Sequence, residues 1–263
     1  MNLSLCRILA VVKRHLYIAL RDLRMITQDI YWPIMDIALW GFMAQWMCKQ
    51  QTMEQTYAHC LIASVGLWQV FMRSSMEVSV SMLEEVWSRN LVNIFSTPLC
   101  SIEWAFATML LAIIRTITTV LIAALAIYIL FGWSLFSAGW ILIPCSTLLL
   151  IFGLAMGFLT ASMLVCWGKK AESLAWMIVW MCAPFSAIYY PVEALPLWMQ
   201  KVSQCMPMMY IYQALGKVFK GEPIAWNLLG TALMINIIFM VISLSLFIFM
   251  FEQSRKKGLA RLE

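Results

Sequence analysis

The feature that most limits how this chain can fold is its series of unbroken apolar runs, each about 20 residues long, enough to cross a bilayer as a helix. The longest lies near residues 138–167. In hydrocarbon every backbone polar group needs an internal partner, so only helices or closed barrels can span. Barrel strands would alternate apolar and polar residues with period two. These runs are continuous, so helices are expected. Composition agrees. Hydrophobic residues make up 63% of the 263-residue chain and charged residues 12%, and mean hydropathy is +0.84. A soluble surface cannot be built from so few charges.

Metal and redox chemistry find no foothold. The eight cysteines form no CxxC pair, and the chain has only two histidines. A metal site needs clustered ligands, so none is expected, and the cysteines read as small apolar residues. Residues 1–27 carry charge throughout, unlike a cleavable leader. They alternate instead on a helical wheel, with Leu5, Ile8, Leu9, Val12, Leu16, Ala19, Leu20 and Leu23 opposite Arg7, Lys13, Arg14, Arg21 and Arg24. That pattern predicts an amphipathic helix lying in the headgroup plane; packing on protein is the other reading.

Six spans are expected, near residues 30–47, 57–78, 104–131, 138–167, 171–190 and 224–251. Lys and Arg set the orientation. Twelve fall on the side of the N-terminus and four on the other, with Arg73 and Arg115 inside spans. Both termini are therefore predicted to be cytoplasmic. The whole reads as one unit: an interfacial helix over 1–28, a six-helix membrane region over 29–252 and a cytoplasmic tail over 253–263.

Two connections are too rich to be simple turns. The inner one, Leu83–Glu103, opens on Glu84 and Glu85, where carboxylates favour a helix start, and is stopped by Pro98. A short cytoplasmic helix is predicted there. The outer one, Pro191–Pro223, is broken by Pro191, Pro196 and Pro207 into apolar pieces too short to span, so a re-entrant hairpin is predicted.

With these segments the chain resembles, over essentially its whole length, the permease subunit of a type-2 ABC exporter, the group of nodulation-factor, antibiotic and polysaccharide exporters. The first matching segment is Glu84-Glu85, Trp87, Arg89-Asn90-Leu91, Asn93 and Thr97-Pro98-Leu99. The second runs from Phe185-Ser186 through Tyr189-Tyr190-Pro191-Val192-Glu193-Ala194-Leu195-Pro196 to Pro207-Met208-Met209-Tyr210. Many relatives carry Gly-Thr before the Thr-Pro-Leu element, where this chain has Trp87-Ser88-Arg89-Asn90. The resemblance implies that the first segment is a coupling helix. Its contacts to a separate ATPase subunit would be Glu84, Glu85, Arg89, Leu91, Ile94 and Phe95.

It also implies a pair of permease copies with two ATPase copies, in a bacterial inner membrane. ATP and Mg²⁺ would be held in the partner, with no cofactor on this chain and no nucleic acid. The residues agree on one point. The nearest approach to a phosphate loop, Gly216–Gly221, is followed by Glu222 where the phosphate-binding lysine is required.

Charges inside spans are costly and ask for partners. Asp36, Arg73, Glu77 and Arg115 lie toward the cytoplasmic side of their spans. Arg73 and Glu77 can pair at i,i+4, and Asp36 is expected to meet Arg115. They form either a charged entrance for a polar headgroup or sugar, or a structural set of pairs. Tyr189 and Tyr190 are further candidates for the substrate path, or members of an interfacial aromatic belt. Gly153 and Gly157 make a GxxxG close-packing face, between copies or within the chain.

The expected function is export of an amphipathic or glycan-bearing substrate; efflux of a hydrophobic drug is the alternative within transport. A membrane-embedded lipid-modifying enzyme is a weaker reading. His15 and His59 fall on opposite sides, and no catalytic residue is assigned.

Overall fold

The computed structural model describes residues 4–88, 90, 93 and 97–257, and the regular secondary-structure elements among them are all helices. Helix α1 (Leu5–Arg21) is followed by α2 (Leu23–Lys49), α3 (Gln55–Trp87) and α4 (Ser101–Phe131). A 3₁₀ segment over Leu135–Ile141 leads into α5 (Leu142–Trp167). Then come α6 (Glu172–Met181), α7 (Leu197–Gln204), α8 (Pro207–Phe219) and α9 (Trp226–Lys257). Among the described residues, three helices are long and apolar enough to cross a membrane: Ser101–Phe131, Leu135–Trp167 and Trp226–Lys256. Helices α2 and α3 are long enough too, but carry polar and charged side chains along their length.

Helix α3 stands at the centre, against α2, α4 and α5, while α9 packs on α5 and α8. One apolar core fills the end that carries α7 and α8, around Trp68, Phe71, Phe152 and Ile211. A second fills the α1 end, around Met82, Trp104, Phe158 and Phe247. The α3–α5 crossing depends on two glycines. A Cβ on Gly153 would lie 2.6 Å from the Phe71 carbonyl, and one on Gly157 2.8 Å from the Ser75 carbonyl. The GxxxG face is thus filled by α3 of the same chain. Next to it, Ser79 and Thr160 share a buried hydroxyl–hydroxyl contact.

Four expectations need correction. The first amphipathic helix stops at Arg21 instead of running to 27. Asp22 there takes an extended backbone, and residues 23–29 join α2. Its apolar face is also divided: Ile8, Val12 and Leu16 pack with Ala107 and Leu111 of α4, whereas Leu5, Leu9 and Leu20 are exposed. The fifth expected span, 171–190, is not one helix. It stops at Met181 and continues as a 3₁₀ turn over Ala183–Phe185, because Pro184 has no N–H to extend the ladder. Finally, Glu84 and Glu85 do not open a new helix. They end α3, with Glu85 only 1% exposed, because α1 sets the Arg14 guanidinium and the His15 ring against them. Arg89, Leu91, Ile94 and Phe95 lie outside the described residues.

The segment around 185–210 is compact. The Ser203 hydroxyl donates to the Phe185 carbonyl at 2.6 Å, and the Tyr190 hydroxyl to the Pro184 carbonyl at 2.9 Å. Helix α8 buries Met208, Ile211 and Leu215 in the core.

Candidate functional site

A cavity of about 280 Å³ opens between α2, α3, α4 and α6 toward the α1 end. Each helix contributes a stripe at helical spacing. Asp29, Trp32 and Asp36 stand at i, i+3 and i+7 on α2, and Gln69 and Arg73 at i, i+4 on α3. Arg115 and Thr119 are at i, i+4 on α4, and Trp176 and Trp180 likewise on α6. This spacing puts every member of a stripe on one helix face. Pro33 lies within the α2 stripe. It removes the N–H that would have bonded the Asp29 carbonyl.

Four charges close a ring at one end of the cavity. Arg73 reaches Asp29, and also Glu77 Oε2 at 2.6 Å. Arg115 reaches Asp29 Oδ2 at 2.6 Å and Glu77 Oε2 at 2.9 Å. Two guanidiniums thus alternate with two carboxylates, and Glu77 is 3% exposed. Such a set holds together in a low-dielectric setting because each charge has two opposite neighbours. Sequence reasoning found Arg73, Glu77, Arg115 and the Arg73–Glu77 pair.

It missed Asp29, which fell one residue outside the expected first span. The i,i+7 match of Asp29 with Asp36 could have found it. The expected Asp36–Arg115 pair is overturned, because Asp29 occupies the Arg115 guanidinium. Asp36 instead accepts a hydrogen bond from Gln69 Nε2 at 3.1 Å.

The second cavity, about 450 Å³, lies at the opposite end and includes Tyr57, Tyr189, Tyr190, Glu193, Tyr212 and Lys220 in its wall. The Lys220 ammonium sits 5.4 Å from the Tyr57 ring centre, and its bond with Tyr57 raises its pKa. Tyr189 stacks on Trp40, ring centres 4.0 Å apart. Trp40 is one helical turn beyond Asp36, so this stack stands between the two cavities. Among the described residues no group of three or more His, Cys, Asp or Glu could hold a metal ion.

At the α1 end a second set of charges ties α1 to both sides of the segment joining α3 to α4. Arg14 reaches Glu85 Oε1 at 2.7 Å, and His15 lies 3.6 Å from Glu84 and 3.4 Å from Glu85. Arg7 reaches Glu103 Oε1 at 2.9 Å, and the Ser4 N–H donates to that same oxygen at 2.8 Å. Glu103 also accepts from the Cys100 N–H at 3.1 Å, capping the start of α4.

The sequence profile described as ABC-2 type transporter matches residues 7–220. That stretch holds α1 through α8, both cavities and the joining segment. The chain belongs to the ABC-2 type transporter family. It is a multi-pass membrane protein and the permease component of an ABC transporter. A transport subunit of this kind is not itself expected to be an enzyme. Among curated proteins none matches the chain.

Proposed function

We propose that this ABC-2 permease exports an amphipathic or glycan-bearing substrate across a bacterial inner membrane. The path runs from the charged cavity at the α1 end to the tyrosine-rich cavity at the other. The observation that carries this reading is the pair of cavities separated by the Trp40–Tyr189 stack, an arrangement suited to alternate opening. The excess of Lys and Arg on the α1 side puts that side in the cytoplasm. Six passes then follow, the fifth broken near Pro184, with both termini inside and 191–223 re-entrant.

ATP and Mg²⁺ belong to a separate ATPase. Two copies of it would drive two copies of this chain, gripping the segment that holds Arg89, Leu91, Ile94 and Phe95. Glu84 and Glu85 are turned toward Arg14 and His15, so α1 and the segment would move as one piece when the ATPase closes.

Purification of the tagged chain from native membranes is expected to bring down a soluble ATPase in equal amount. The chain stripped of it should hydrolyse no ATP. Clear ATP turnover by the isolated chain would overturn the reading.

Topology has its own test. Cys6 and Cys205 are both exposed, at opposite ends. In intact cells an impermeant maleimide, read peptide by peptide, is expected to modify Cys205 but not Cys6. Cys205 should also react more slowly than a cysteine placed at Gln50. Labelling of Cys6 alone would invert the topology, and equal rates at 205 and 50 would remove the re-entrant placement.

A further inference from the structure

The cavity at the α1 end has an odd charge. Its ring balances Asp29 and Glu77 against Arg73 and Arg115, which leaves Asp36 as an additional carboxylate in the wall. Among the described residues no cation pairs with Asp36; its one hydrogen bond comes from the neutral Gln69 amide. A carboxylate at membrane depth without a cationic partner is costly, and a counter-charge relieves that cost.

Three indoles border the same space. Trp32, Trp176 and Trp180 are 56%, 37% and 45% exposed, and Trp180 is held at an angle against Trp68. Tryptophan is the best side chain for receiving a cation on its face. The open polarity is otherwise sparse. The ring's charges are paired with one another and Gln69 is turned to Asp36; Arg73 Nε is left without a hydrogen-bond partner, which is little for the many hydroxyls of a glycan.

We infer that this cavity binds an amphiphile carrying a single positive charge, its cation against Asp36 and its apolar body among Trp32, Trp176 and Trp180. The inference rests on the permease reading for its physiological meaning, but the binding can be measured without it. The cation would supply the missing half of an ion pair, and the indoles would exclude water around it. A neutral molecule of the same shape gains only the second of these.

The test uses the full chain in lipid nanodiscs, with tetraphenylphosphonium as cationic probe and triphenylphosphine oxide as neutral probe, both followed by equilibrium dialysis. Tetraphenylphosphonium is expected to bind the wild type and to lose about tenfold or more in affinity in Asp36→Asn, as for removal of one partner of a desolvated charge pair. Asp36→Glu should restore most of the loss. The neutral probe should bind weakly and equally to all three. Asp36→Asn keeps a partner for Gln69, so its thermal midpoint should match the wild type.

Should that variant fail to fold, Trp176→Leu provides the readout, with a several-fold loss for the cation and little change for the neutral probe. Equal cation affinity in wild type and Asp36→Asn, or in wild type and Trp176→Leu, would overturn the inference. So would a neutral probe that binds as tightly as the cation. Copurification of the ATPase separates the two ideas: with the ATPase present and no cation preference, this inference alone falls.

Discussion

Replacing Glu77 by alanine is expected to destabilise the protein by about 3–5 kcal/mol, the usual cost of breaking a buried ion pair from one side. Glu77 is 3% exposed and touches both Arg73 and Arg115. Without it, two guanidiniums would share the single carboxylate of Asp29. The penalty comes from the stranded charge more than from lost attraction, so Glu77→Gln, of almost the same shape, should be nearly as damaging. Removing Arg115 as well restores one cation to one anion. The double change Glu77→Gln with Arg115→Gln should therefore cost clearly less than the sum of its single changes. Thermal unfolding of the wild type and the four variants in nanodiscs measures this. Additive losses, or a Glu77→Ala midpoint equal to the wild type, would show that the ring does not act as a unit.

The second large effect belongs to the α3–α5 crossing. Gly153→Ala gains helix propensity of about 1 kcal/mol, yet it is expected to lower stability. Its new methyl would meet the Phe71 carbonyl at 2.6 Å and the Ser74 hydroxyl at 1.9 Å. The hydroxyl can rotate away; the carbonyl belongs to the backbone of the central helix and cannot. Overpacking of this kind typically costs about 1–3 kcal/mol. Gly157→Leu should be worse, since it would have to displace both the Ser75 carbonyl and Val78. Gly230 offers the control: nothing lies within 4 Å of an added Cβ there, so Gly230→Ala should leave stability equal or slightly higher. Monodispersity and thermal midpoint of the three variants decide the matter. A well-behaved Gly157→Leu would mean that the two helices do not meet as described.

Much of this architecture was legible in the sequence, for physical reasons that can be named. Long apolar runs such as 104–131 and 224–251 are set by the bilayer, and α4 and α9 match them closely. The Arg73–Glu77 pair follows from helical spacing alone. What could not be read are the choices made between helices. Asp36 and Asp29 lie on one face of α2 at equivalent positions, and no local rule says which meets Arg115. The fate of Glu84 and Glu85 was likewise decided by Arg14 and His15, some 70 residues away along the chain. Local reasoning saw two carboxylates at a plausible helix start, but tertiary pairing made them the end of α3. The break of the fifth span was visible in Pro184 and lost because the apolar run continues past it.

The contacts of α1 set a timetable for assembly. Its apolar and basic faces are synthesised first, but the groups that fix it arrive much later: Glu85 lies 71 residues beyond Arg14, and Glu103 lies 99 beyond Ser4. During translation α1 must wait without these partners. It locks down once α3 is in place and α4 has begun to enter. Docking of the first helix is then a late event, which cannot be completed before α3 and the start of α4 have been made.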